Sequence, residues 1–115
     1  MVASPDRLAE QAAIAIDGAD RLGVSAISGW EIAMLAEKGR IELDRPAHRW
    51  LEDGLASSGA LLLPIDPAVA ALAAQLPLHG DPADRLIVAT TIKAGAALIT
   101  KDHQIRTSRL VVTIW

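Results

Sequence analysis

A three-layer α/β/α sandwich with a parallel central sheet is the fold this sequence predicts, and three observations predict it. Short, wholly apolar segments alternate with helix-like segments, the pattern of a parallel sheet covered on both faces. Helix starts carry Ser or Asp followed by Pro, and helix ends carry Gly. The 115 residues suffice for one core and no more, so residues 1–115 form a single domain.

The elements follow in order. Ser4 and Pro5 open a first helix, with Leu8, Ala12 and Ile16 on its apolar side, that ends near Gly18. "RLGVSAIS" supplies a strand over Leu22 to Ser25, and "GWEIAMLAEKG" a helix closed by Gly39. "RPAHRWLEDGLASSG" is a third, more polar helix. "ALLLPI" reads as a buried strand, and "DPAVAALAAQL" as a helix capped by Asp66 with Pro67 behind it. "GDPADRLIVATT" starts the next helix in the same way, which runs through Ile92 and stops at Gly95. "AALIT" and "LVVTI" are the last two strands.

Composition narrows the function. Apolar residues make up 51% of the chain, which is the mark of a packed protein. Cysteine is absent, which excludes disulfides, a thiol nucleophile and a Cys-based metal site, and fits a reducing cytoplasm. No apolar run reaches the ~18 residues that span a bilayer, and "MVASPDRLAEQ" lacks the order of a signal peptide. A cytoplasmic protein with no membrane contact is expected. The net charge of -3 hides a split: residues 81–115 hold five basic residues, Arg85, Lys93, Lys101, Arg106 and Arg109, against three acidic ones.

Open parallel sheets bind ligands beyond the carboxyl ends of their strands, so the acids in those loops are the ones to weigh. Glu31 follows the strand ending at Ser25, Asp84 lies in the first turn of a helix, and Asp102 stands just beyond "ALIT". Each also has a structural explanation. Ser28-Gly29-Trp30-Glu31 fits a capping box, and Asp102 fits a turn. Asp81 and Pro82 start a helix, but the parallel segment Asp66-Pro67-Ala68-Val69 has Val69 where Asp84 stands, so capping does not require Asp84. Carboxylates without His or Cys partners suit Mg²⁺ or Mn²⁺, and such an ion suits phosphodiester cleavage. His48, His79 and His103 share no ligand spacing, and neither a phosphate-binding glycine loop nor a nucleophile elbow is present.

Two stretches carry a resemblance. "VSAISGWEIAMLAEKGRIEL" resembles the segment with the second acid of PIN-domain ribonucleases of the VapC toxin type, and "LPLHGDPADRLIVATTIKAGAALITKDHQI" resembles the segment with their third and fourth acids. The resemblance covers most of the chain from Leu8 onward. It implies an α/β/α fold and a metal-dependent endoribonuclease with Glu31, Asp84 and Asp102 around one or two Mg²⁺ or Mn²⁺ ions. Asp81 would be a nearby cap, and Arg85 would face phosphate or hold a carboxylate. It also implies an RNA substrate, a homodimer and silencing by a cognate VapB-type antitoxin.

The family's first strand, ending in a further acid, has no counterpart in the sequence. "MVASPDRL" resembles the end of the family's first helix, as though a segment before Met1 were missing, and Asp6 is no substitute. The expectation is a sandwich lacking its first strand. Either the start has been misplaced, or the short form has a depleted metal site and serves only to bind or dimerise. A third reading is an interaction domain whose acids are all caps.

Overall fold

The computed structural model describes residues 2–3, 10–18 and 21–115. Among them five strands form one sheet, β1 (Val2–Ala3), β2 (Gly23–Ser25), β3 (Leu61–Leu63), β4 (Leu98–Ile99) and β5 (Thr113–Ile114), in the order β3-β2-β1-β4-β5. Every pairing is parallel. The helices are α1 (Glu10–Asp17), α2 (Ala26–Glu37), α3 (Ala47–Ser58), α4 (Pro67–Gln75), α5 (Pro82–Ala94) and α6 (His103–Ser108). None is long and apolar enough to cross a membrane.

The expected missing first strand is corrected here. Val2 pairs with Gly23 on one side and Leu98 on the other, which makes β1 the central strand. The physical reason is the bond inventory: β2 and β4 would each face the middle of the sheet with unpaired backbone groups, and a short extended segment satisfies both. The proposed Ser4 cap, Pro5 and Asp6 lie outside the described residues.

Alternation along β3 sets the layers. Leu62 faces a groove between α2 and α3, whereas Leu63 faces Val69 of α4 and Ala94 of α5. Successive strand residues point to opposite faces, so the two helix pairs cover opposite sides of the sheet. The core lies mainly on the second side, where Val69, Ala73, Leu76, Ile87, Val88, Ala89, Leu98 and Ile105 pack together. Burying a Leu such as Leu98 contributes ~2 kcal/mol.

Three further expectations change. "ALLLPI" was expected to be buried, yet Leu61 and Leu62 are 53% and 52% exposed because the strand order puts β3 at the rim. Helix α2 was expected to start behind a Ser28 cap. Ser25 caps it instead, its Oγ accepting from the Ile27 amide at 3.4 Å, and the strand runs straight into the helix. Ser28 therefore lies inside α2, and the capping box with Glu31 does not form. Helix α6 was not foreseen; its start is fixed by Asp102 and its one buried residue is Ile105.

The loop between α2 and α3 is tied by Arg45, which donates to both Asp44 carboxylate oxygens and to Asp53 at 2.7 Å. The Arg45 guanidinium holds the Asp44 carboxyl below the usual carboxylate range. All three side chains are exposed, so this tie orders the loop more than it stabilises the fold.

Candidate active site

Each candidate acid owes its place to a local device. Asp84 is the third residue of α5, whose first turn is fixed by Asp81 and Pro82: the Asp81 carboxylate accepts from the Ala83 amide at 2.9 Å. Gly95, at φ 62°, then turns the chain directly into β4. Helix α5 therefore runs back along the sheet, and its first turn lies at the carboxyl end of β4. Gly80 confirms this placement, since a Cβ there would come within 3.1 Å of the Gln104 side chain on α6, and its φ of 118° already favours glycine.

Asp102 leaves that same strand end. Its amide donates to Thr100 Oγ1 at 3.1 Å, and its Oδ1 accepts from the Ile105 amide at 2.9 Å. Thr100 is buried, so the turn that carries Asp102 is anchored in the sheet rather than left to solvent. Asp102 is thus a helix cap, and the remaining carboxylate oxygen is not used by the cap.

Glu31 stands in the second turn of α2, which grows from the carboxyl end of β2 and touches α5. It lies one turn deeper than a capping box would have put it. Glu31, Asp84 and Asp102 are all half-buried, and both Glu31 and Asp84 are engaged in interactions. The topology thus brings three acid-bearing elements to one edge of the sheet. It does not assemble a ligand cluster there: among the described residues no three His, Asp or Glu side chains are grouped so as to hold a metal ion. The donor set is all carboxylate oxygen, which suits a hard divalent cation, and such a cation needs only one or two carboxylates with water completing its shell.

Arg85 also has a contact within the chain. Its Nη2 donates to the Leu76 carbonyl at 2.8 Å, tying α5 to the end of α4, and its Nε is buried with no hydrogen-bond partner. Two residues were missed in the sequence. Thr100 orients Asp102, and the signal was a buried hydroxyl at the end of an apolar strand. Lys93 pairs with Asp66 and bridges the end of α5 to the start of α4; no spacing rule could have paired them.

The comparisons with known proteins agree with this fold. The model of the PIN domain family matches residues 1–109. The chain is 46% identical over 117 residues to ribonuclease VapC22 of Mycobacterium tuberculosis, covering 98% of this chain and 88% of the relative. Among solved structures, a toxin–antitoxin complex from Klebsiella pneumoniae is similar with a TM-score of 0.67 at 19% identity, covering 97% of this chain and 95% of the other. FitAcB from Neisseria gonorrhoeae is similar with a TM-score of 0.64 at 20% identity, covering 98% and 96%. At these identities the two structures speak to the fold alone.

Proposed function

Because the chain belongs to the PIN-domain family, we propose that it is an endoribonuclease toxin, cleaving RNA phosphodiester bonds in the cytoplasm and silenced by a cognate antitoxin. The observation that carries this reading is the 46% identity to a ribonuclease over nearly the whole chain. The structure neighbours include toxin–antitoxin complexes, which supports an antitoxin as partner. The family resemblance adds a homodimer as the working assembly.

In this reading Glu31 and Asp84 hold Mg²⁺ or Mn²⁺. When bound, the ion supplies Lewis-acid polarisation of the phosphoryl oxygens and a more acidic water. The chain's own residues do the rest. Asp81 and Pro82 fix the turn from which Asp84 projects, and Thr100 and the Ile105 amide hold Asp102 still. Its remaining carboxylate oxygen accepts a hydrogen bond from the attacking water, orienting it toward phosphorus. The exposed Lys101, Arg106 and Arg109 offset the acids and attract the RNA backbone.

Cleavage of a structured RNA in Mg²⁺ or Mn²⁺, by the parent chain and by Glu31→Gln, tests the proposal. A loss of about a hundredfold in the variant is expected, the scale of a lost proton-transfer or positioning group. Equal cleavage by both would remove Glu31 from the site. A second reading is that of a binding module with impaired chemistry. That reading predicts antitoxin binding, measured by calorimetry, with no metal-dependent cleavage.

A further inference from the structure

Among the described residues two buried side-chain atoms lack a hydrogen-bond partner, Ser28 Oγ and Arg85 Nε. Each neighbours a candidate acid. Arg85 follows Asp84, and Ser28 precedes Glu31 by three residues on α2, which places the two on one face of the helix. Arg85 has another use, its bond to the Leu76 carbonyl. Ser28 has none, although the residue is only 1% exposed.

Elsewhere in the helices, hydroxyls return to the backbone. Thr90 donates to the Leu86 carbonyl at 2.7 Å, Thr91 to Ile87 at 2.8 Å and Thr107 to His103 at 2.8 Å. The Ser28 hydroxyl makes no such bond. Four residues before it stands Val24, which belongs to β2 and not to the helix, and the bond to the carbonyl three residues back that Ser57, Ser58 and Ser108 make is not formed either. A buried hydroxyl in that position carries a desolvation cost that alanine would avoid, and alanine is also the better helix former. Such an atom calls for a partner from outside the chain.

We propose that the Ser28 hydroxyl holds an ordered water against the Glu31 carboxylate, making Ser28 a positioning residue for the acid site. This rests on the nuclease reading above. The spacing suits it: side chains three apart on a helix have Cβ atoms ~5 to 6 Å apart, a gap that one water bridges. The water sits on the buried side of Glu31, where bulk solvent does not compete for it, and fixes which carboxylate oxygen faces the substrate.

Two measurements test the proposal. A crystal structure of the whole chain at a resolution that shows waters should place one within hydrogen-bond distance of Ser28 Oγ. In RNA cleavage, Ser28→Ala should lower kcat roughly tenfold with KM unchanged, while its melting temperature holds or rises. Ser28→Thr, which keeps the hydroxyl, should recover most of the rate. A dry Ser28, or Ser28→Ala cleaving like the parent, overturns the proposal. If the extra methyl prevents Ser28→Thr from folding, the water and the Ala variant still decide. Glu31→Gln run in parallel separates the causes of failure. If it cleaves like the parent, the nuclease reading falls and takes the role of Ser28 with it; if it is inactive and Ser28→Ala is unimpaired, the positioning role alone falls.

Discussion

Helices α4 and α5 begin with nearly the same four residues, Asp-Pro-Ala-Val and Asp-Pro-Ala-Asp, and are put to opposite uses. In both, an Asp carboxylate accepts from an amide of the first turn at 2.9 Å, and Pro takes the first helical position. At the third position Val69 is 2% exposed and packs into the core, whereas Asp84 is half-buried at the acid edge. The cap and the third residue are therefore independent choices. The first sets where a helix starts; the second decides whether that start faces hydrocarbon or chemistry.

The largest effect should come from forcing one use onto the other helix. Val69→Asp would place an unpaired carboxylate among core side chains, a loss of roughly 3 to 5 kcal/mol, visible as unfolding in a urea titration. Burial would raise the pKa of that carboxyl in the folded state, so the loss should lessen as pH falls and the group protonates. Asp84→Asn should do the reverse: cleavage falls by about a hundredfold, while stability drops by only about 0.5 kcal/mol as one charge leaves a helix N-terminus.

The smallest effects separate the two caps. Asp66→Ala and Asp81→Ala should each cost about 1 kcal/mol in denaturant melts. Only Asp81→Ala should also slow cleavage, because it loosens the turn that carries Asp84. A slowed Asp66→Ala variant would mean that the two helix starts are coupled, through Lys93 or otherwise.

The legibility of the sequence follows the same division. Helices α4 and α5 were readable because Asp, Pro and the terminal Gly95 act within a few residues of themselves. The start of α2 was misread because Ser25 and Ser28 are equally good caps in isolation, and the choice is made by where β2 stops pairing with β3. The rim position of β3 and the central place of Val2–Ala3 were invisible for the same reason, since strand order is a property of the whole sheet. Glu31, Asp84 and Asp102 could be picked out singly by their positions near strand and helix ends. Whether their elements meet depends on α5 running back along the sheet, which only the fold reveals. Helix α6 was missed because it is six residues long with one buried residue, Ile105, too short for an apolar periodicity to show.

The register of β1 has a consequence for how the molecule comes into being. Its partner β2 follows after a short stretch of chain, but Ala3 must also find Ile99. Such distant pairing is slow, because the entropy of closing a long loop is lost before the contact is gained. The turn bearing Asp102 leaves that same β4, and its own bonds to Thr100 and Ile105 are local ones. During synthesis α2 is made long before β4, whereas α5 ends only a few residues ahead of it. A chain that stops short of β4 therefore leaves the central strand of its sheet with a partner on one side only.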